Sequence, residues 1–188
     1  MSPKRIMWWI GEHFLDRIDI MRNDIIDIKP FRQTPNYCGP AVVKMRAQLD
    51  GILITEEEAI KLTGATKEMG ASGSGIKKAL EHLGFNVFSK ENDTPNNSLD
   101  DLRYYIWKKI PVIVDWLSED GGHYSIVVGI DKKNVILRDP SFWRIRRISI
   151  KKFLEFWLDW PGDYAETKND VILRFMLVAT LKEKETKK

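Results

Sequence analysis

Apolar residues recur at helical spacing over residues 5–20, where Ile6, Trp9, Ile10, Phe14 and Ile18 alternate with Glu12, Asp16 and Arg17. This predicts an amphipathic helix that packs on its own domain or offers a surface to a partner protein. Its polar face lacks the Lys/Arg enrichment of a membrane-surface helix. A short strand is expected at Ile25–Ile28, ended by Pro30. Residues 41–50 then form a second apolar-periodic run, with Pro40 suited to its first turn and Gly51 to its left-handed end. Thr55-Glu56-Glu57-Glu58 is a capping box that opens a helix stopped near Gly64. A further helix is expected over Ile76–Leu83, after a flexible loop at 70–75, and a strand at 85–88. Polar residues 91–98 read as an exposed loop before a helix from Ser98 to Trp107.

The pattern then changes to β-rich runs at 111–116, 124–128 and 134–138, followed by a helix from Ser149 and a last strand at 171–181. Helices first and a mostly antiparallel sheet second predict an α+β fold. Residues 1–188 are expected to form one domain, with 1–32 as an N-terminal extension and 182–188 as a frayed tail.

Composition narrows the function classes. A net charge of +3 is too small to argue for nucleic acid as a partner. A single cysteine excludes an internal disulfide. No stretch reads as a signal peptide or approaches the roughly 18 apolar residues of a membrane span, so a cytoplasmic protein without an integral membrane segment is expected. His13, His82 and His123 lack the spacings that build metal sites, so neither a metal nor another cofactor is expected. Glycines at 70–75 lack the Gly-Lys-Ser/Thr of a phosphate cradle. Arg144-Ile145-Arg146-Arg147 alternates like a strand whose basic face is a solvated edge rather than a site for an acidic segment. Glu119 and Asp120 read as a loop bordering a cleft.

The candidate chemistry gathers around Cys38 in Gln33-Thr34-Pro35-Asn36-Tyr37-Cys38-Gly39-Pro40-Ala41. A lone cysteine is ordinarily inert packing, but a thiol at a helix start meets unpaired backbone N–H groups that favour the thiolate. His123 follows two glycines at the head of an apolar strand, where the glycines leave its ring accessible. Asp139 ends the next strand. Folding the strands back about Asp131, through a loop over 129–133, sets Val128 opposite Asn134 and His123 directly opposite Asp139 on one face. A tight turn at Lys132-Lys133 would instead put His123 and Asp139 on opposite faces.

These segments resemble the papain-like cysteine peptidases. The motifs are Gln33-x-x-x-x-Cys38-Gly39-Pro40-Ala41, Gly122-His123-Tyr124-Ser125-Ile126-Val127-Val128-Gly129 and Val135-Ile136-Leu137-Arg138-Asp139-Pro140. Within that group they look most like the bacteriocin-processing peptidases that remove double-glycine leaders, over residues 33–157. The resemblance implies a helical half whose Cys helix packs on the sheet, and a peptide or protein substrate. It implies Cys38 as nucleophile, His123 as general base and acid, Asp139 as orienter and Gln33 as oxyanion donor. Two other functions stand beside it: an acyl-transferase of this fold, which the same residues fit equally, and a binding module that only holds a peptide, against which the four intact residues count.

Overall fold

The computed structural model describes residues 25–119, 121–160, 162 and 165–182. The expected helix at 5–20, with Trp8, Trp9 and His13, and the tail beyond residue 182 lie outside the described residues. Helices α1 (Cys38–Leu49), α2 (Glu56–Thr63) and α3 (Gly73–His82) lead into strand β1 (Phe85–Lys90) and helix α4 (Pro95–Trp107). Strands β2 (Val112–Ser118), β3 (Gly121–Ile130), β4 (Asn134–Arg138) and β5 (Ile145–Ser149) follow, then helix α5 (Ile150–Phe156). Strands β6 (Leu158–Asp159), β7 (Ile172–Leu173) and β8 (Met176–Leu181) complete the order. All pairings are antiparallel, and the main sheet runs β1-β8-β2-β3-β4-β5, with β6 and β7 as a separate pair. The α+β expectation matches this arrangement.

Helix α1 is the hub. Val42, Val43, Met45 and Ala47 are fully buried, so the helix is enclosed along most of its girth. Its charged residues survive burial by having partners. Arg46 donates to the Ala179 carbonyl at 2.6 Å, pairs with Asp50 and lies over the Phe85 ring. Such pairing is what a buried guanidinium requires. Gly51, at φ +80°, ends the helix in the left-handed conformation expected of it.

The local signals were of uneven strength. The Thr55–Glu58 capping box of α2 and the left-handed Gly64 end are both present. The glycine loop is not flexible throughout: Ser72 accepts from the Gly75 N–H, and residues 73–75 are the first turn of α3. Helix α4 begins at Pro95, earlier than expected, because Thr94 caps the Asn97 N–H and proline fits the first turn. The expected strand over 171–181 is broken where Arg174 turns to φ +56°. Residues 25–28 do not join the sheet as a strand, although the Ile26 N–H donates to the Val128 carbonyl at 2.8 Å.

Gly39 shows how closely the loop before α3 seats on the start of α1. A Cβ there would stand 2.6 Å from the Ala71 Cβ and 3.3 Å from Ile76 Cδ1. The nearer neighbour, the Ala71 Cβ, is fixed to its backbone and cannot swing away. Gly39→Ala is therefore expected to destabilise the chain by about 1–3 kcal/mol in urea unfolding, the range for overpacking a core.

Candidate active site

Asn36, at φ +71°, and a turn from the Tyr37 N–H to the Thr34 carbonyl bring the chain into α1 at Cys38. Tyr37 occupies the cap position, yet no side chain accepts from the first turn. The backbone N–H groups at this helix start therefore lack the usual side-chain cap. Cys38 itself is half-buried.

His123 and Asp139 are brought together, but not by the hairpin expected. Asp131 accepts from the Lys133 and Asn134 N–H groups, and Ile130 faces Val135, so the tip is the tight turn at Lys132-Lys133. Continued regularly, that register would place Asp139 on the face opposite His123. A β-bulge between Val127 and Gly129 prevents this. Beyond it Val127 faces Leu137 and Ile126 faces Arg138, so one further step sets Asp139 level with Ser125. His123 then lies two residues along β3 on the same face, within diagonal reach. The expectation that they stand directly opposite is corrected to a diagonal pair, with His123 Nε2 2.7 Å from Asp139 Oδ1. The bulge frees the Val128 carbonyl, and Ile26 satisfies it.

The pair is almost dry: His123 is 6% exposed and Asp139 0%. Burial alone would lower the imidazole pKa. Hydrogen bonds to Asp139 and to Cys38, with their charges, outweigh it and raise His123 to about 9. Burial pushes the Asp139 carboxyl up, but the His123 hydrogen bond and charge, the Ser141 N–H at 2.9 Å and Arg146 hold it below the usual range. With Nε2 on Asp139, Nδ1 is the ring nitrogen left for Cys38.

Arg146 is the residue the sequence reading missed. Its guanidinium stands 3.4 Å from Asp139 Oδ2 and 3.8 Å from Glu119, and stacks on Trp116 and Phe142 at 5.0 and 5.2 Å. The basic stretch is a strand as expected, but this arginine turns to the buried carboxylate instead of a solvated edge. Nothing in the alternation of 144–147 could have named its partner. Asp120, beside Glu119, lies outside the described residues.

Gln33 is tied to the same loop. Its N–H donates to the Pro140 carbonyl at 3.0 Å, and its Oε1 accepts from the Ser141 hydroxyl at 3.4 Å. The amide NH2 is the end left for another acceptor.

On the other face of β3, Asp115 sits opposite Tyr124 and is 5% exposed. Burial first, then the neighbouring Asp159, raises its carboxyl to about 8, while the Tyr124 hydrogen bond pulls it down. Its Oδ1 has no hydrogen-bond partner. The Asp159 carboxylate occupies the space of a side chain at Gly122, where a Cβ would lie 2.5 Å from it. Gly122 thus makes room for a carboxylate, not simply for access to the His123 ring. A charged residue inside the apolar run Pro111–Trp116 was the available signal for this cluster.

Among the described residues, no group of three or more His, Cys, Asp or Glu could hold a metal ion. No helix among them is long and apolar enough to cross a membrane.

Asp115 keeps its proton in the folded chain up to about pH 8 but ionises near pH 3.8 once unfolded. Its contribution to stability is full below the unfolded value and is lost as pH rises through about 8. Asp115→Asn keeps a neutral group of the same shape. Its urea midpoint should exceed the parent's at pH 8, and the difference should shrink toward pH 4; an unchanged difference would refute a protonated Asp115 in the fold.

Comparison with known proteins gives the family and the fold. The model of the Peptidase_C39 like family matches residues 25–162. An uncharacterized protein of Methanothermobacter thermautotrophicus is 30% identical over 127 residues, 67% of this chain and 81% of its own length. The lactococcin-G-processing and transport ATP-binding protein LagD of Lactococcus lactis is 29% identical over 137 residues, 70% of this chain but only 17% of LagD. The peptidase domain of Streptococcus ComA, a bifunctional ABC transporter, superposes with a TM-score of 0.61 at 22% identity, over 83% of this chain and all of that domain. A double-glycine-motif protease from an AMS/PCAT transporter, solved with its leader peptide, gives 0.60 at 15% identity, over 85% and 96%. The fold is therefore papain-like, and the chain belongs to the Peptidase_C39 like family.

Proposed function

We propose that this chain is a cysteine peptidase in which Cys38 is the nucleophile, His123 the general base and acid, Asp139 the orienting carboxylate and Gln33 an oxyanion donor. The observation that carries this reading is His123 held between Asp139 and Cys38, with its pKa raised to about 9 by both. An imidazolium at neutral pH is the counter-ion a thiolate requires.

The thiolate of Cys38 attacks the scissile carbonyl carbon, and the C–S bond forms as the carbonyl π electrons move to oxygen. The Cys38 N–H and the Gln33 amide NH2 receive that oxyanion, supported by the uncapped start of α1 and the fixed Gln33 oxygen. His123 protonates the leaving amine as the C–N bond breaks. Water then gives a proton to the now neutral His123 as its oxygen bonds to the acyl carbon; the C–S bond breaks, the acyl group leaves as a carboxylic acid, and the Cys38 thiolate and His123 imidazolium are restored. His123, the Ser141 N–H and Arg146 together keep Asp139 ionised in its dry site.

A peptide cut after a double-glycine leader is the substrate class proposed, by analogy with the relatives' processing role.

The test has two parts. A peptide carrying an acyl-side electrophile should add once to the protein by intact mass, at Cys38, and the adduct should vanish in His123→Ala. An unreactive Cys38, or one equally reactive without His123, would sink the reading. Cleavage of a double-glycine peptide should fall by about 10²–10³ in kcat for Gln33→Ala, the usual effect of losing one oxyanion donor. Adding a competing amine distinguishes hydrolysis from acyl transfer by the mass of the product.

A further inference from the structure

The connection between β4 and β5 is pinned in its backbone and open in its side chains. The Ser141 N–H donates to Asp139 Oδ1 at 2.9 Å, and the Phe142 N–H donates to the Asp139 carbonyl at 3.1 Å. Arg138 reaches the Trp143 carbonyl at 3.4 Å. Yet Phe142 is 50% exposed and Trp143 59%, whereas Trp116 and Trp157 are buried. Two adjacent aromatic rings left in water on a fixed backbone forgo substantial apolar burial, and such a patch marks a binding surface.

The patch is continuous with the candidate site. Trp116 meets the His123 ring edge-on at 6.1 Å, Arg146 lies over Trp116, and the same guanidinium lies over Phe142. A continuous run of ring and guanidinium contacts therefore leads from the imidazole to Phe142, the chain neighbour of Trp143. Its position relative to the reaction follows from the proton. His123 must protonate the leaving amine, so the leaving half of the substrate departs on the imidazole side of the scissile bond. Asp139 holds the far nitrogen of that ring, and Phe142 and Trp143 come just after Asp139 in the chain.

We propose that Phe142 and Trp143 form the leaving-side subsite and take an apolar or aromatic side chain from the first residues after the scissile bond. This rests on the peptidase reading above. The loop backbone is already held by Asp139 and Arg138, so the rings offer a preformed apolar surface. A substrate with only small or acidic residues after the cut would leave that surface in water.

Two quenched fluorescent peptides, identical up to the scissile bond and carrying Leu-Phe or Ser-Asp after it, test this on the full chain. The Leu-Phe peptide should have kcat/KM about tenfold higher or more, within the range of one apolar subsite contact. The advantage should disappear in Trp143→Ser, which leaves the Phe142 ring against Arg146 in place. An electrophile carrying only acyl-side residues should label Cys38 at the same rate in both proteins, because it never reaches the leaving side. Labelled Cys38 with no preference between the peptides overturns this inference alone. Unlabelled Cys38 overturns the peptidase reading and this inference with it. A dimer in sedimentation that Trp143→Ser abolishes would show that the rings bind a second copy, and would also overturn it.

Discussion

A carboxylate with no exposure to water, Asp139, is the constraint on which the rest of this site depends. An ionised carboxyl in such a place is tolerated only when charges and hydrogen bonds replace its lost hydration. Here His123, the Ser141 N–H and Arg146 supply them, each from a different part of the chain. The bulge at Val128 is what turns Asp139 toward the imidazole at all. It leaves a carbonyl unpaired, and the segment that satisfies it, through Ile26, runs on to bind Pro140 through Gln33. One buried charge thus ties the hairpin, the segment before α1 and the basic strand into a single arrangement.

Adjacent residues of β3 look into opposite electrostatic settings. On the face of His123, one carboxylate is matched by an imidazole and a guanidinium, and its pKa falls. On the face of Tyr124, two carboxyls share a site with no cation in ion-pair contact among the described residues, and both are pushed up. Like charges at such range cannot both ionise cheaply, so the second pair holds a proton. The strand therefore separates an ionised acid from a protonated one. Gly122 is the point where the second site presses on the backbone just before His123.

How much of this was legible in the sequence depends on the range of the interaction. The capping box of α2 and the start of α1 at Cys38 are local, and the residues announced them. His123 and Asp139 were legible as a pair because each ends an apolar strand beside glycine or proline. Their register was not, because the bulge lies inside Val127-Val128-Gly129, which reads as unbroken strand. The tight turn at Lys132-Lys133 is present, and the one-residue shift of the bulge restores the shared face. Arg146 was invisible for another reason. Its role is set by Asp139, Trp116 and Glu119, residues 7, 30 and 27 positions away, and strand alternation carries no information at that range.

The causes of the raised His123 pKa bear on how one ring could serve both halves of the proposed reaction. A group fixed near 9 would be a poor base toward water at neutral pH, since little of it would be unprotonated. Part of the elevation, however, comes from the hydrogen bond and charge of Cys38. Acylation replaces that charge with a neutral thioester, so this part vanishes when the first half of the reaction ends. The Asp139 contribution remains and keeps the ring oriented, while burial, which always favours the neutral imidazole, now weighs more heavily. In the proposed reaction, loss of the Cys38 charge on acylation would therefore loosen the proton on His123 when the ring is to take one from water. With the His123 hydrogen bond and charge and the Ser141 N–H, Arg146 holds Asp139 ionised, so in the proposed reaction the proton exchanged would belong to His123.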